Sequence, residues 1–422
     1  MRRMPRLSTS ICLCFALTAA FAASSAHAQN WPRFRGPRGA GVSDLKGVPR
    51  EWQESDYEWT VDLPGVGHSS PVVWGQTLFV TSADEEGRRT LFCIDADTGK
   101  QKWHHSVSLN KNHLHHMNSY ASGTPAVDEE RVYVGFADAD HYLVSAFDFK
   151  GEQVWTRDLG PCSTEHGHGV SPILHEDLVI ICNDQAPAEN GAAPPSAVIA
   201  LNRHTGDVVW HAERRSRDAS YATPIVIHPE GAAPQLIVLS GANGLAGLDL
   251  MTGREIWSSG ELPRRTVGSP VYAGGLLFAT CGQGGRGEHM VCVDPTGRGD
   301  VSQTHIRYVR DRELPYVPTP VSNDRELFLW NDDGTFFTVD VRTGKNLSRQ
   351  RIGGNYFASP IMIDGRIFCV SQEGEVVVLE PGDELRIFRS PLGDPSYASP
   401  AVANGRVYFR GFKKLASLKA RS

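Results

Sequence analysis

The chain has 422 residues, of which 40% are hydrophobic and 21% charged, with 42 Lys plus Arg against 48 Asp plus Glu. Such a balance belongs to a folded globular protein and excludes a disordered one. The formal charge of -6 argues against bulk binding to a phosphate backbone, which needs a basic face, so a nucleic-acid partner is not expected.

The chain opens with an address. Arg2, Arg3 and Arg6 precede the apolar run of residues 11–23, and Ala26-His27-Ala28 stands before Gln29. This order reads as a secretory signal peptide over residues 1–28, cleaved near Ala28-Gln29, with a periplasmic or secreted product. The apolar run is well short of the roughly 20 residues that span a bilayer, and no later run is longer, so no transmembrane anchor is expected. Six cysteines follow the leader: Cys93, Cys162, Cys182, Cys281, Cys292 and Cys369. No CxxC occurs, which argues against a zinc ribbon or a thioredoxin-like site. Cys281 and Cys292 flank GQGGRGEH symmetrically, which allows either a disulfide across one hairpin or two buried free thiols.

A repeat dominates the remainder. Ser-Pro or Thr-Pro recurs at Ser70, Thr124, Ser171, Thr223, Ser269, Thr319, Ser359 and Ser399, at spacings of 40 to 54 residues. That period denotes a solenoid, propeller or array. Each unit begins with a short strand at the Pro, where a missing N–H does least damage. A tight turn follows, such as Asp364-Gly365 or Asn404-Gly405, and then a second strand, a polar loop and a third strand ending near Asp. Thr-Gly comes next, and a Trp four residues later opens a fourth strand. Trp103, Trp155, Trp210 and Trp257 fit this register. Later units lose the Trp, with Val301, Ser348 and Arg386 at the equivalent positions. Four short strands per unit without helical periodicity predict a propeller blade.

The last unit has three strands, and YEWTVDL near the start supplies the fourth. The expectation is therefore an all-β, eight-bladed propeller of four-stranded antiparallel blades over residues 57–420, closed by an N-terminal strand. Residues 29–56 form an N-terminal extension. Seven closed blades with a stray hairpin is the competing count.

The segments CIDADTGKQKW, ALNRHTGDVVW and GLDLMTGREIW resemble the quinoprotein-type (PQQ-like) propeller repeats. The opening NWPRFRGPRGAGVS is similar to the start of exported bacterial propellers of that kind. The resemblance implies one of two branches. One comprises dehydrogenases holding pyrroloquinoline quinone and calcium. The other is the cofactor-free propeller lipoprotein of the outer-membrane assembly machine, which binds envelope proteins. The adjacent cysteine pair of the dehydrogenases is absent here, and no motif matches their calcium-binding carboxylate or catalytic Asp. Pyrroloquinoline quinone is therefore not expected. The acylated N-terminal Cys of the lipoprotein is absent as well. Because a repeat specifies a fold, function has to be argued from a site.

In a propeller the segments before each Ser/Thr-Pro step converge on the mouth of the central channel, beside the loops joining second and third strands. Here they carry His68, His113, His115, His116, His166 and His168 on neighbouring units. Tyr221, Arg264, Arg265, Tyr316, Tyr356 and Tyr397 lie on the others. The inner loops add carboxylates, including Asp184, Asp332 and Asp333. Candidate ligand-binding residues are His68, His116, Asn118, Tyr120, Glu165, His166, His168, Asp184, Arg265, Tyr356 and Tyr397. Alternation of His166 and His168 in an extended segment would place both rings on one side, making them candidate ligands for a divalent metal. The plainer expectation is a wet channel mouth that tolerates such side chains. Tyrosines, arginine and carboxylates suit a carbohydrate or similar polar small molecule. GQGGRGEH lacks the following helix that a phosphate cradle needs, and neither GxSxG nor HExxH occurs. The leading expectation is an exported propeller without redox chemistry that binds a polar ligand or a protein partner at this mouth. An enzyme acting on a carbohydrate-like substrate and a cell-envelope assembly scaffold are the alternatives.

Overall fold

The computed structural model describes residues 30–187, 194–382 and 384–421. The expected signal peptide and cleavage site, and the middle of the Pro/Ala-rich stretch after Asn183, lie outside the described residues. Eight sheets form the blades of a propeller, numbered 1 to 8 in chain order by the Ser/Thr-Pro step that opens each, from Ser70 in blade 1 to Ser399 in blade 8. Six have four strands, and two gain a short parallel fifth: Val42–Ser43 on the inner strand of blade 7, and Gly299–Asp300 on the outer strand of blade 4. Trp59–Asp62 pairs antiparallel with Lys414–Lys419, so strands from both ends of the chain build blade 8, as expected. This closure leaves no open seam in the ring. No helix among the described residues is long and apolar enough to cross a membrane.

The repeated Ser/Thr-Pro residue does more than start a strand. At seven of the eight steps its hydroxyl accepts a hydrogen bond from the backbone N–H of the matching residue in the preceding blade, the step from Ser171 to Thr223 being the exception. Ser70 donates to Thr124 Oγ1 at 2.9 Å, Thr124 to Ser171 Oγ at 3.0 Å, and Thr223 to Ser269 Oγ at 3.0 Å. The chain of contacts runs on through Thr319, Ser359 and Ser399. Ser399 N–H then donates to Ser70 Oγ at 3.1 Å and joins the last blade to the first. A buried ring of hydroxyls thus girdles the channel.

At the rim, four outer-strand Trp residues reach the following blade, whereas Trp257 donates to Gln235 Oε1 within its own blade at 2.8 Å. Trp103, Trp155 and Trp210 donate their indole N–H to the carbonyls of Phe149, Arg203 and Leu250, and Trp59 does the same to Ala96 across the closure. The faces of these indoles lie against Gly99, Gly151, Gly206 and Gly253, where a Cβ would meet the ring at 2.5–2.9 Å. Those glycines also have positive φ, so the Thr-Gly step is required twice over. The loss of Trp in later units needs one correction. Tyr308, opposite Cys292 as Trp103 is opposite Cys93, takes the part in blade 5. Its hydroxyl donates to Val341 O at 2.8 Å. In blade 7 the position belongs to Phe388, opposite Val378, rather than to Arg386.

The suggested disulfide also fails. A bulge after Cys281 sets it opposite His289, while Cys292 faces Phe278. The two positions sit on opposite faces of the blade, Cys281 in the layer shared with blade 4 and Cys292 in the layer shared with blade 6. All six cysteines are free and buried.

Residues 30–56 are built into the propeller. Trp31 exchanges two backbone hydrogen bonds with Val73 of blade 1, and Pro32 O accepts from Val127 of blade 2. Arg33 Nη2 donates to Pro224 O of blade 4 at 2.6 Å. Arg35 gives Nη1 to Thr319 O and Pro360 O, at 3.0 and 2.8 Å, and Nη2 to Pro320 O at 2.7 Å. Gly41 O accepts from Met362 of blade 7. A short loop therefore crosses the channel beneath the hydroxyl ring and touches five blades. Both guanidiniums are buried against carbonyls without a carboxylate, and burial lowers each to about 9. The chain then runs outward, where Trp52 N–H donates to Ser390 Oγ, and enters blade 8.

Candidate functional site

Above this plug the channel opens as a cup of about 770 Å³. Every blade contributes to its wall, because every blade places one loop ahead of its inner strand at the mouth. The eight Ser/Thr hydroxyl positions form the lower wall, and Phe34 of the plug lies among them. The cup is consequently closed below and open at the mouth, the form of a small-molecule site more than of a through-channel.

One side is a hydrogen-bonded polar wall. His166 Nδ1 contacts Glu165 O at 2.8 Å, and its Nε2 contacts Arg265 Nη1 at 2.6 Å. Since a carbonyl accepts and a guanidinium donates, Nδ1 carries the proton and Nε2 accepts. Burial, then the Arg265 charge, lowers the His166 pKa and keeps the ring neutral. Arg265 also pairs with Glu165 at 3.4 Å. Glu165 in turn accepts from Ala219 N–H at 3.2 Å. The His166 ring stacks on Tyr221, at 6.4 Å between centroids and 8° between planes, and lies 4.8 Å from His115. Asn118 fixes the loop from the other side by donating to His166 O at 2.8 Å. Tyr316 and Asp332 continue this wall. Asp332 accepts from the N–H groups of Tyr316 and Val317 at 2.7 and 3.1 Å, so its first task is to hold that loop. Burial pushes its carboxyl up to about 7 against the pull of those N–H groups.

The opposite side is aromatic. His68 lies 4.7 Å from Tyr397, and Phe357 lies 4.9 Å from Tyr397. Phe412 backs both His68 and Tyr397. Burial, with the Arg410 charge, lowers His68 to about 3, so it serves as a neutral ring. Met117, Asn355 and Gln372 complete the mouth.

The sequence-derived candidates divide between these walls and other places. His68, His116, Asn118, His166, Arg265 and Tyr397 line the cup. Glu165 supports it through Arg265. Tyr120 turns away, donating to Asn112 O at 2.9 Å beneath the Arg89 guanidinium. Tyr356 is fully buried against Trp330 between blades 6 and 7. Asp184 is buried beside Arg214 at 3.4 Å. His168 is half-buried with its Nε2 inside the protein, edge-on to Tyr142 at 4.6 Å, and burial with the Arg89 charge lowers it to about 4. The shared orientation expected for His166 and His168 is therefore corrected. Gly167 at φ +90° breaks the extended segment, and a Cβ there would strike Leu114 at 2.5 Å. One ring enters the cup while the other turns into the protein. Phe34 and Phe357 escaped selection in the sequence. Phe34 precedes the repeat frame, and nothing but its place beside two buried arginines marks it.

The donor set fits neither a metal nor a metal-bound quinone in this cup. Both His166 nitrogens are occupied, Asp332 holds backbone N–H groups, and Asp333 pairs with Arg351 at 3.2 Å. No group of three His, Cys, Asp or Glu among the described residues is arranged to hold an ion. None of the six cysteines among the described residues faces the cup.

A family model described as outer membrane protein assembly factor BamB matches residues 57–193 and 120–350, more than half of the chain. The chain belongs to this family. It is 28% identical over 211 residues to BamB of Yersinia pestis, covering 47% of this chain and 46% of the relative. It is 27% identical over 259 residues to tetrathionate hydrolase of Acidithiobacillus ferrooxidans, covering 59% of this chain and 47% of the relative. The chain thus spans about half the length of the curated relatives it matches. Among solved structures, BamB from Moraxella catarrhalis superposes with a TM-score of 0.61 at 16% identity, over 86% of this chain and 96% of that one. At that identity the likeness bears on the fold alone.

Proposed function

We propose that this chain is an exported cup-shaped binding protein for a small, neutral, hydroxyl-rich molecule of the carbohydrate class. The observation that carries this reading is the opposition of two walls above a closed floor. His68, Phe357 and Tyr397 offer flat rings to the C–H face of a sugar. Arg265, Tyr316 and His116 offer donors and acceptors to its hydroxyls. The guanidinium is already neutralised by Glu165, so an anion gains little attraction there. Calorimetric titration of tag-free residues 29–422 against mono- and oligosaccharides tests the reading, with tetrathionate included because one relative carries that name. Saturable sugar binding, weakened about tenfold or more by Phe357→Ala, is expected, since losing one aromatic contact costs on the order of 1.5 kcal/mol. Binding of tetrathionate alone would replace the sugar with a sulfur oxyanion.

Family membership favours a second reading, a scaffold for envelope proteins that uses the broad mouth face. Crosslinking from Met117, exposed at the mouth, in the native envelope would return a discrete partner if this reading holds. Sugar binding that proceeds unaltered in the purified chain would set it aside as the main role.

A further inference from the structure

Behind Tyr221 lies a second, smaller void whose volume is about 10 Å³, room for the centre of roughly one water molecule. Its wall includes Tyr142, Thr164, His168 and Asp184, with Tyr221 and Gly169 shared between void and cup. Tyr142 Oη, Thr164 Oγ1, His168 Nε2 and Asp184 Oδ1 are all buried and have no protein partner. Buried polar atoms in native proteins are almost always satisfied, and those that the protein leaves over are met by ordered water. Tyr221 Oη is a fifth such atom, but Tyr221 also lines the cup, so the four that do not are the ones that need a common explanation.

We propose that this chamber is a one-water site, in which a single ordered water bridges Tyr142, Thr164, His168 and Asp184. The roles balance. A water molecule offers two donors and two acceptors. Burial raises the Asp184 pKa against the pull of Arg214, so its oxygen accepts when ionised and donates when protonated; the two hydroxyls take either role, and the neutral imidazole nitrogen adopts the role its tautomer leaves. The thiols of Cys162 and Cys182 also line the void. With His168 and Asp184 they have the composition of a soft-metal site. The geometry favours water, because no three of these groups converge as ligands do and Asp184 already carries Arg214. Burial also holds both thiols up to about 12, in the protonated form.

The water would act as a positioning element. Thr164 and His168 flank His166 in one loop, so a bridge from that loop to the fixed Asp184–Arg214 pair holds the polar wall of the cup in place. This inference stands whether the cup takes a sugar or a protein. The test is a high-resolution crystal structure of the intact chain, together with ¹⁷O relaxation dispersion, which counts long-lived internal waters. The expected result is one ordered water within hydrogen-bond distance of the four atoms. One fewer long-lived water is expected in a Thr164→Val plus Tyr142→Phe variant that keeps the wild-type circular dichroism. A dry chamber, direct pairing among the four side chains, or an anomalous metal signal would overturn the proposal. Should the double variant fail to fold, the wild-type electron density alone decides.

Discussion

The two walls of the cup are held in place by different physics. On the polar side each side chain is fixed by directional bonds: Glu165 to Arg265, Arg265 to His166, Asn118 to the His166 carbonyl, Asp332 to the Tyr316 loop. On the aromatic side His68, Phe357, Tyr397 and Phe412 are held by ring packing. A network of hydrogen bonds is stiff but fails as a unit when one member is lost, whereas packed rings lose area piece by piece. The polar wall should therefore respond to substitution cooperatively, and the aromatic wall additively. Both rest on the same floor.

The largest effect should come from that floor. Arg35→Ala leaves the carbonyls of Thr319, Pro320 and Pro360 without their donor, and a buried hydrogen bond to a charged group is worth about 1.5–3 kcal/mol. Denaturant unfolding should show a loss of roughly 3 kcal/mol or more, and both walls should loosen together. A variant as stable as the parent would mean that the plug only rests on the channel.

Next comes the polar wall. In Arg265→Gln the cation that lowers the His166 pKa is gone, while Glu165 remains beside the ring. The His166 pKa, followed by NMR titration of its ring proton, should rise, and ligand affinity should fall about tenfold or more. An unmoved His166 titration would break the claim that Arg265 sets its state. For the aromatic wall, Phe357→Ala and Tyr397→Ala should each weaken binding separately, and a double-mutant cycle should give the smaller coupling of the two walls.

A pH series separates the walls in another way. His68 and His168 are lowered to about 3 and about 4 in the folded state, against about 6.5 unfolded. Between those values the unfolded chain binds more protons, so stability falls as pH drops from about 6.5 toward 4, by up to tenfold in the folding constant per pH unit for each group. Asp332, raised to about 7, acts with the opposite sign, since its protonated form is favoured by folding and its contribution is lost as pH rises from about 4 to 7. His168→Asn should flatten the acid limb, and an unchanged limb would show that His168 is protonated in the fold. The smallest effect concerns the thiols. With Cys281 and Cys292 on opposite faces, a reducing agent should leave Tm unchanged and thiol counting should find all six free.

Much of this architecture can be read from the repeat. The Ser/Thr-Pro period specifies the blades, the closing strand and the convergence of the mouth loops, because each unit solves the same packing problem. Function within the repeat is less legible. The hydroxyl ring is implicit in the choice of Ser or Thr before every Pro, yet a strand-start reading uses only the Pro. Tyr308 was missed because the Gly299–Asp300 insertion shifts the spacing that locates the other rim aromatics. His168, Asp184, Tyr120 and Tyr356 lie in the right segments but point elsewhere, since a single positive φ at Gly167, or one buried contact such as Trp330, redirects a side chain. Phe34 and the arginine plug had no signal, because the extension has no copy elsewhere in the chain to compare with.

The most direct measurement is saturation-transfer NMR on tag-free residues 29–422 with a mixture of saccharides, repeated on Tyr397→Ala and Arg265→Gln. The account predicts transfer to the ring C–H protons of at least one sugar, reduced in the first variant and abolished in the second. Absence of transfer to any saccharide, or transfer that neither substitution alters, would contradict the cup as a sugar site.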